Sequence, residues 1–271
     1  MLTSLQNPLV KDIRKLHQGK FRRQQGRLLL EGTHLLQEAI RAGYPLEIAC
    51  YTPAWQQRYP ELTLALTQQA SRVEVVAEAV LHSLTTTVQP DGVVAVAPQR
   101  AAGSNPPITG IGLMVEGLQD PGNLGTLIRT AVAAGTDGLW LSADSVAPDH
   151  PKVLRASAGQ WFRLPLEVSE DWGALFEPWQ QAGVQLVATH PGASLCYWDV
   201  DFTQPTVVLL GNEGAGLSAA AQALATVSVS IPMAEPVESL NVAVAAALLL
   251  YEARRQRQGK PPLANQNDIV V

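Results

Sequence analysis

Five short and almost uninterrupted apolar runs in the second half of the chain, GLMVEGL, GLWLS, VQLVAT, TVVLLGN and VSVSIPM, restrict the fold more than any other feature. A strand with one wet face alternates apolar and polar residues, so runs apolar at successive positions need cover on both faces. Helical stretches begin between and after them near Leu124, Pro151, Asp171, Leu217 and Ser239. Strands alternating with helices in this way predict an α/β fold with a parallel sheet. The last helix, SLNVAVAAALLLYEARRQR, is apolar almost all round up to Tyr251. Such a helix is buried on more than one side, by the core or by a second subunit.

A smaller alternation precedes this one. Apolar runs at LEIACY, VEVV and DGVVAVAP are separated by the helix-like ELTLALTQQA and EAVLHSL. Upstream, in LLLEGTHLLQEAIRAG, Leu35, Leu36, Ala39 and Ile40 share a helical face that Gly43 is placed to end. The stretch PQRAAGSNPPI, with Pro98, Gly103, Pro106 and Pro107, reads as a linker. The expected organisation is a small α/β domain over 1–98, a linker over 99–107, a larger α/β domain over 108–260 and a flexible tail over 261–271.

Composition narrows the class. At 46% hydrophobic and 16% charged residues the chain is globular. The longest apolar stretch, Val242 to Tyr251, is far shorter than the roughly 20 residues a membrane span needs. The first residues lack the pattern of a secretory signal, and Cys50 and Cys196 fit neither a disulfide framework nor a metal site. A soluble, cytoplasmic protein without a metal is expected. The net charge of −5 hides an asymmetry, because residues 1–41 carry eight Lys or Arg against three Asp or Glu. A basic arm on an acidic chain is a sign of a polyanionic partner, although a solvated helix face gives the same count.

Three segments follow expected strands, at the edge where open parallel sheets bind ligands. In EGLQDPGNLGTLIR, Pro121, Gly122 and Gly125 make a turn into a helix, Asn123 is a possible N-cap, and Arg129 lies one to two turns in. In LLGNEGAGLS, glycines at 211, 214 and 216 allow close approach to the backbone, but neither G-x-G-x-x-G nor a phosphate-loop motif is present. In IPMAEPVESLN, Ser239 can cap the last helix, and Asn241 opens a buried run where its amide needs a partner. Singly, each segment is equally an ordinary turn or cap.

Their order is more specific. NLG-x-x-x-R, then GNEG-x-GLS, then IPM…ESLN before a helix ending LLLYE closely resembles the three motifs of the SpoU/TrmH branch of the SPOUT methyltransferases. KVLRASAGQWFRLPL resembles the family's connecting text, and SLQNPLVKDIRKL…RRQQGRLLLEG resembles the L30e-like RNA-binding domain often fused to it. The resemblance implies a deep trefoil knot in the C-terminal domain, a homodimer that completes the active site, and S-adenosylmethionine as methyl donor. It implies cofactor contacts at Leu210, Gly211, Gly214, Ile231, Met233 and Leu240, and a catalytic group of Arg129, Asn123, Glu213, Ser239 and Asn241. The reaction implied is methylation of an RNA ribose 2′-hydroxyl, with large-subunit (23S) ribosomal RNA the favoured substrate and guanosine the favoured nucleoside. Transfer RNA is the alternative, and no DNA or membrane partner is expected.

The basic arm then supplies candidate phosphate contacts, namely Lys11, Arg14, Lys15, Lys20, Arg22, Arg23 and Arg27. One departure from the family pattern is visible: Glu235 stands where the third motif usually has glycine. It is the one feature that favours a non-catalytic RNA-binding or ribosome-assembly protein. A nicotinamide-dependent enzyme is disfavoured, because the dinucleotide fingerprint is missing.

Overall fold

The computed structural model describes residues 1–100, 106–212 and 214–258. Linker residues 101–105, Glu213 and the tail from 259, all of which carry expectations above, lie outside the described residues. The chain forms two compact units. The first gathers described residues of Met1–Ser104 with Gln119–Arg129 and Ser145–Leu164, and the second gathers the rest.

In order, the first elements are α1 (Pro8–Lys15), α2 (Gly19–Gln25), β1 (Arg27–Glu31), α3 (Thr33–Arg41), β2 (Leu46–Tyr51), α4 (Pro53–Arg58), α5 (Pro60–Gln69), β3 (Ala70–Val75), α6 (Glu78–Leu84) and β4 (Val93–Pro98). They build a four-stranded sheet in the order β1-β4-β2-β3, with β4 antiparallel to both neighbours and β2 parallel to β3. Strand residues Leu29, Ile48, Cys50, Val94 and Val96 are buried in one cluster with Val10, Ile13 and Leu16 of the N-terminal segment and Val80, Leu81 and Leu84 of α6. The basic arm is therefore not a loose tail. Asn7 caps α1 by accepting from the Leu9 amide, and an apolar stripe anchors the helix while Lys11, Arg14 and Lys15 stay exposed.

Strand β1 departs from the helical reading of its surroundings. Leu28, Leu29 and Leu30 are fully buried, and full pairing with β4, from Arg27 with Pro98 to Glu31 with Val94, holds them extended. Only three apolar residues separate Gly26 from Glu31, too few to show a period.

The remaining elements are β5 (Ile111–Val115), α7 (Pro121–Ala134), β6 (Gly138–Ser142), α8 (Pro151–Ala156), β7 (Leu166–Ser169), α9 (Trp172–Gln181), β8 (Gln185–Thr189), β9 (Leu195–Cys196), β10 (Thr206–Leu210), α10 (Ala219–Leu224), β11 (Val227–Ser230) and α11 (Val242–Gln258). The second unit holds a seven-stranded sheet in the order β7-β6-β5-β10-β8-β11-β9, parallel throughout. Every residue of β5, β6 and β10 is buried, as continuous apolar runs demand. On one face Met114, Trp140, Leu186, Val207 and Leu209 pack with Phe176 and Trp179 of α9, and the Trp140 and Trp179 rings meet edge to face at 4.7 Å. Helix α11 packs along β5 and β10. No helix among the described residues is long and apolar enough to cross a membrane.

Candidate functional site

The strands of the second unit are parallel, so the segments leaving β5, β10 and β11 share one sheet edge. That edge is built by a few side chains. Glu116, just after β5, accepts from the Ser218 amide at 2.7 Å through Oε2 and from the Trp172 indole at 3.3 Å through Oε1. Asn212, just after β10, donates through Nδ2 to the Gly117 carbonyl at 2.7 Å. Its Oδ1 accepts from the amides of Gly214 at 2.9 Å and Ala215 at 3.1 Å. The Asn212 and Gly216 backbones bond to each other in both directions, at 3.0 and 2.8 Å. Ser218 then caps α10 by accepting from the Ala221 amide.

This loop explains the glycines of GNEGAGLS. A Cβ on Gly211 would stand 2.0 Å from the Gly216 carbonyl carbon and 2.1 Å from the Leu217 nitrogen, so two backbones touch where only hydrogen fits. Gly216 has φ +69°, the left-handed conformation that L side chains avoid. Leu217 is buried in the core, while Gly214, Ala215 and Gly216 are exposed.

After β11, Ile231, Met233 and Leu240 are only half buried, and no charged residue lies between Ile231 and Ala234. Apolar side chains left partly open at a sheet edge can line a site for an apolar part of a ligand. Glu235 and Ser239 are exposed. Ser239 does not cap α11. Asn241 does, with its Oδ1 accepting from the Ala243 amide at 2.9 Å and its carbonyl from the Val244 and Ala245 amides. The carboxamide oxygen at the head of the apolar helix thus has a partner in the helix itself.

In the first unit, the N-terminal part of α7 carries Asn123 and Arg129. Asp120, rather than Asn123, is the cap: its Oδ1 accepts from the Asn123 amide at 2.8 Å and its carbonyl from the Leu124 amide. Helix α7 therefore starts at Pro121, with Asn123 in its first turn. Arg129 is exposed on this helix, and Asn123, Thr126 and Arg129 recur at spacings of three along its open side. Gly125 serves packing. A Cβ there would lie 2.3 Å from the Ala156 Cβ, so the glycine lets α7 and α8 touch.

Among the basic candidates, Lys11, Arg14, Lys15, Lys20 and Arg23 are exposed, and Arg27 is engaged by Asp12 and Glu47. Arg22 is different and corrects the expectation for that position. At 2% exposure it cannot reach a phosphate. Its guanidinium donates to both Asp149 oxygens, at 3.1 and 3.4 Å, and to the carbonyls of Leu16 and His17. The sequence-based candidates also omit Glu116, Gly117 and Asn212, whose partners lie far along the chain.

The SpoU rRNA Methylase family model matches residues 110–251, and the MRM3-like substrate binding domain model matches residues 7–95. The chain is 49% identical over 257 residues to an uncharacterized tRNA/rRNA methyltransferase of Synechocystis sp., covering 94% of each. It is 31% identical over 256 residues to the 23S rRNA (guanosine(2553)-2′-O)-methyltransferase of Bacillus subtilis, covering 93% of this chain and 98% of that one. The crystal structure of the AdoMet-bound rRNA methyltransferase of Sinorhizobium meliloti aligns with a TM-score of 0.83 at 34% identity, covering 93% of this chain and 96% of that one.

Proposed function

Because the chain belongs to the SpoU rRNA methylase family, we propose that it transfers a methyl group from S-adenosylmethionine to a ribose 2′-hydroxyl of 23S ribosomal RNA, with guanosine the favoured nucleoside. The observation that carries this reading is the Gly211 crossing, where the backbone after β10 folds against Gly216 and Leu217 so closely that a single methyl group is excluded. Leu210, Gly211 and Gly214 would hold the cofactor through backbone atoms, and Ile231, Met233 and Leu240 through apolar contact. When bound, the cofactor supplies an activated methyl on a sulfonium.

The chain's own task is to make a ribose hydroxyl nucleophilic. Arg129 is a poor base, since a guanidinium stays protonated up to a pH of about 12. Its planar fork instead fits two oxygens of an RNA phosphate. We assign it the holding of that phosphate, whose oxygen takes the 2′-hydroxyl proton, and the stabilising of the developing alkoxide. Asn123, Glu213, Ser239 and Asn241 complete the assigned set, with Asn241 also fixing the start of α11. RNA is held by phosphate contacts from Lys11, Arg14, Lys15, Lys20, Arg23 and Arg27 of an N-terminal domain over 1–98. A homodimer and a trefoil knot in the domain over 108–260 belong to the same proposal. Support for the dimer is the apolar stripe of Val244, Leu248 and Tyr251, which stays exposed along α11.

The assignment of Arg129 is tested with Arg129→Lys. Loss of at least 100-fold in kcat, with S-adenosylmethionine binding kept, is the expected result. Near-wild-type turnover by the lysine variant excludes a role that depends on the guanidinium fork.

A further inference from the structure

We propose that Asn212, with Glu116 beside it, is a positioning residue that holds the loop after β10 in its cofactor-binding shape before any ligand arrives. The inference rests on the reading above that this loop contacts S-adenosylmethionine. Gly214, Ala215 and Gly216 are exposed, so no apolar burial fixes them. What fixes them is polar. The Asn212 amide ties the Gly214 and Ala215 amides to the Gly117 carbonyl, and so ties the loop after β10 to the turn after β5. Glu116 holds the other end through the Ser218 amide. The loop is thus clamped at both ends by side chains that follow two adjacent strands.

The chemistry requires these residue types. Position 212 needs one donor for Gly117 and one acceptor for two amides, and a short carboxamide supplies both at that reach. Aspartate keeps the acceptor but faces the Gly117 carbonyl with a second oxygen. Alanine has neither group. Glu116 meets two donors, the Ser218 amide and the Trp172 indole, with two oxygens. Glutamine has one oxygen and would turn an NH₂ group toward one of those donors. A loop released by either change must be ordered by the ligand, and affinity falls with the fraction of chains already in the competent shape.

The test compares Asn212→Ala, Asn212→Asp and Glu116→Gln with the unaltered protein. S-adenosylmethionine binding is measured by calorimetry, and hydrogen exchange of the Gly214 and Ala215 amides is measured without ligand. Asn212→Ala is expected to raise Kd roughly tenfold, about the effect of losing one to two net hydrogen bonds, and to unprotect both amides. Its KM for the cofactor rises much more than its kcat falls. Asn212→Asp, which keeps the two amide bonds, is expected to fall between alanine and wild type, as is Glu116→Gln, and thermal unfolding shows whether each variant is folded. If the unaltered protein binds and folded Asn212→Ala binds as tightly, or its loop amides stay protected, the inference is overturned and the function stands. If the unaltered protein does not bind S-adenosylmethionine, the function itself falls and this inference with it.

Discussion

Replacing Arg22 by methionine separates a structural arginine from the exposed basic neighbours proposed above to hold RNA. The substitution keeps the length and apolar stem of the side chain and removes a guanidinium that is 2% exposed. Breaking a buried ion pair from one side costs about 3–5 kcal/mol, because the other charge stays behind without its partner. Here the stranded group is Asp149, whose side chain is 13% exposed and keeps a 2.8 Å bond from Gln99 Nε2, which places the cost at the low end. The Leu16 and His17 carbonyls after α1 lose a charged donor as well, at 3.0 and 3.3 Å. About 3 kcal/mol is the expected loss, which for a chain of this size lowers Tm by roughly 6–12 °C. Arg23→Met, on the exposed side of the same short helix, should change stability by less than about 0.5 kcal/mol. Differential scanning calorimetry and an RNA-binding titration at two salt concentrations read both effects. Arg22→Met should be unstable with its RNA affinity kept at low temperature, and Arg23→Met stable with weaker binding and a shallower salt slope. An Arg22→Met protein that melts like wild type but binds RNA poorly would refute the buried assignment.

Three other outcomes are expected. Gly211→Ala must push two backbones apart, since its Cβ falls 2.0 Å from Gly216; it should abolish S-adenosylmethionine binding in calorimetry, and unaltered affinity would show that the loop is not the site. Burial pushes the Cys50 thiol up to about 12, with Glu74 adding to the shift, so at pH 8 the folded chain should leave it unmodified by a thiol reagent and Cys196 should carry the reaction. Two equally fast thiols per folded chain would contradict this. Burial, and then the positive charge of Arg22, lower the pKa of His150. The folded chain therefore takes up that proton less readily than the unfolded chain, and the contribution is favourable above the ordinary histidine pKa of about 6.5 and lost as pH falls below it. His150→Gln should flatten the fall in Tm between pH 7 and pH 5.5, and an unchanged slope would assign it to other groups.

How much of this was legible in the sequence depends on how local the cause was. The central strands of the parallel sheet announce themselves, because burial on both faces leaves β5, β6 and β10 no polar position. Edge strand β7, Leu166–Ser169, alternates and is not fully buried, and it is missing from the expected set. The expected helix starts in the second half of the chain lie within a few residues of those of α7 to α11, but the capping residues are not legible in the same way. Asp120 and Asn123, or Ser239 and Asn241, are all competent capping residues, and tertiary packing chooses between them. The basic arm reads as a uniform run, although one of its members is buried. What singles out Arg22 is Asp149, 127 residues away, and no local pattern contains that pairing. The Glu116 and Asn212 contacts are equally remote, spanning 102 and 95 residues. The motifs gave the chemistry; the side chains that hold them in place appear only once the sheet brings β5 beside β10.

Methyl transfer from labelled S-adenosylmethionine to unmodified 23S ribosomal RNA and transfer RNA, followed by digestion to nucleosides, reads reaction and substrate together. The expected result is label in a 2′-O-methylated nucleoside, guanosine first, from 23S ribosomal RNA. Label in a methylated base, or cofactor binding without transfer to any RNA or ribosomal assembly intermediate, would contradict it.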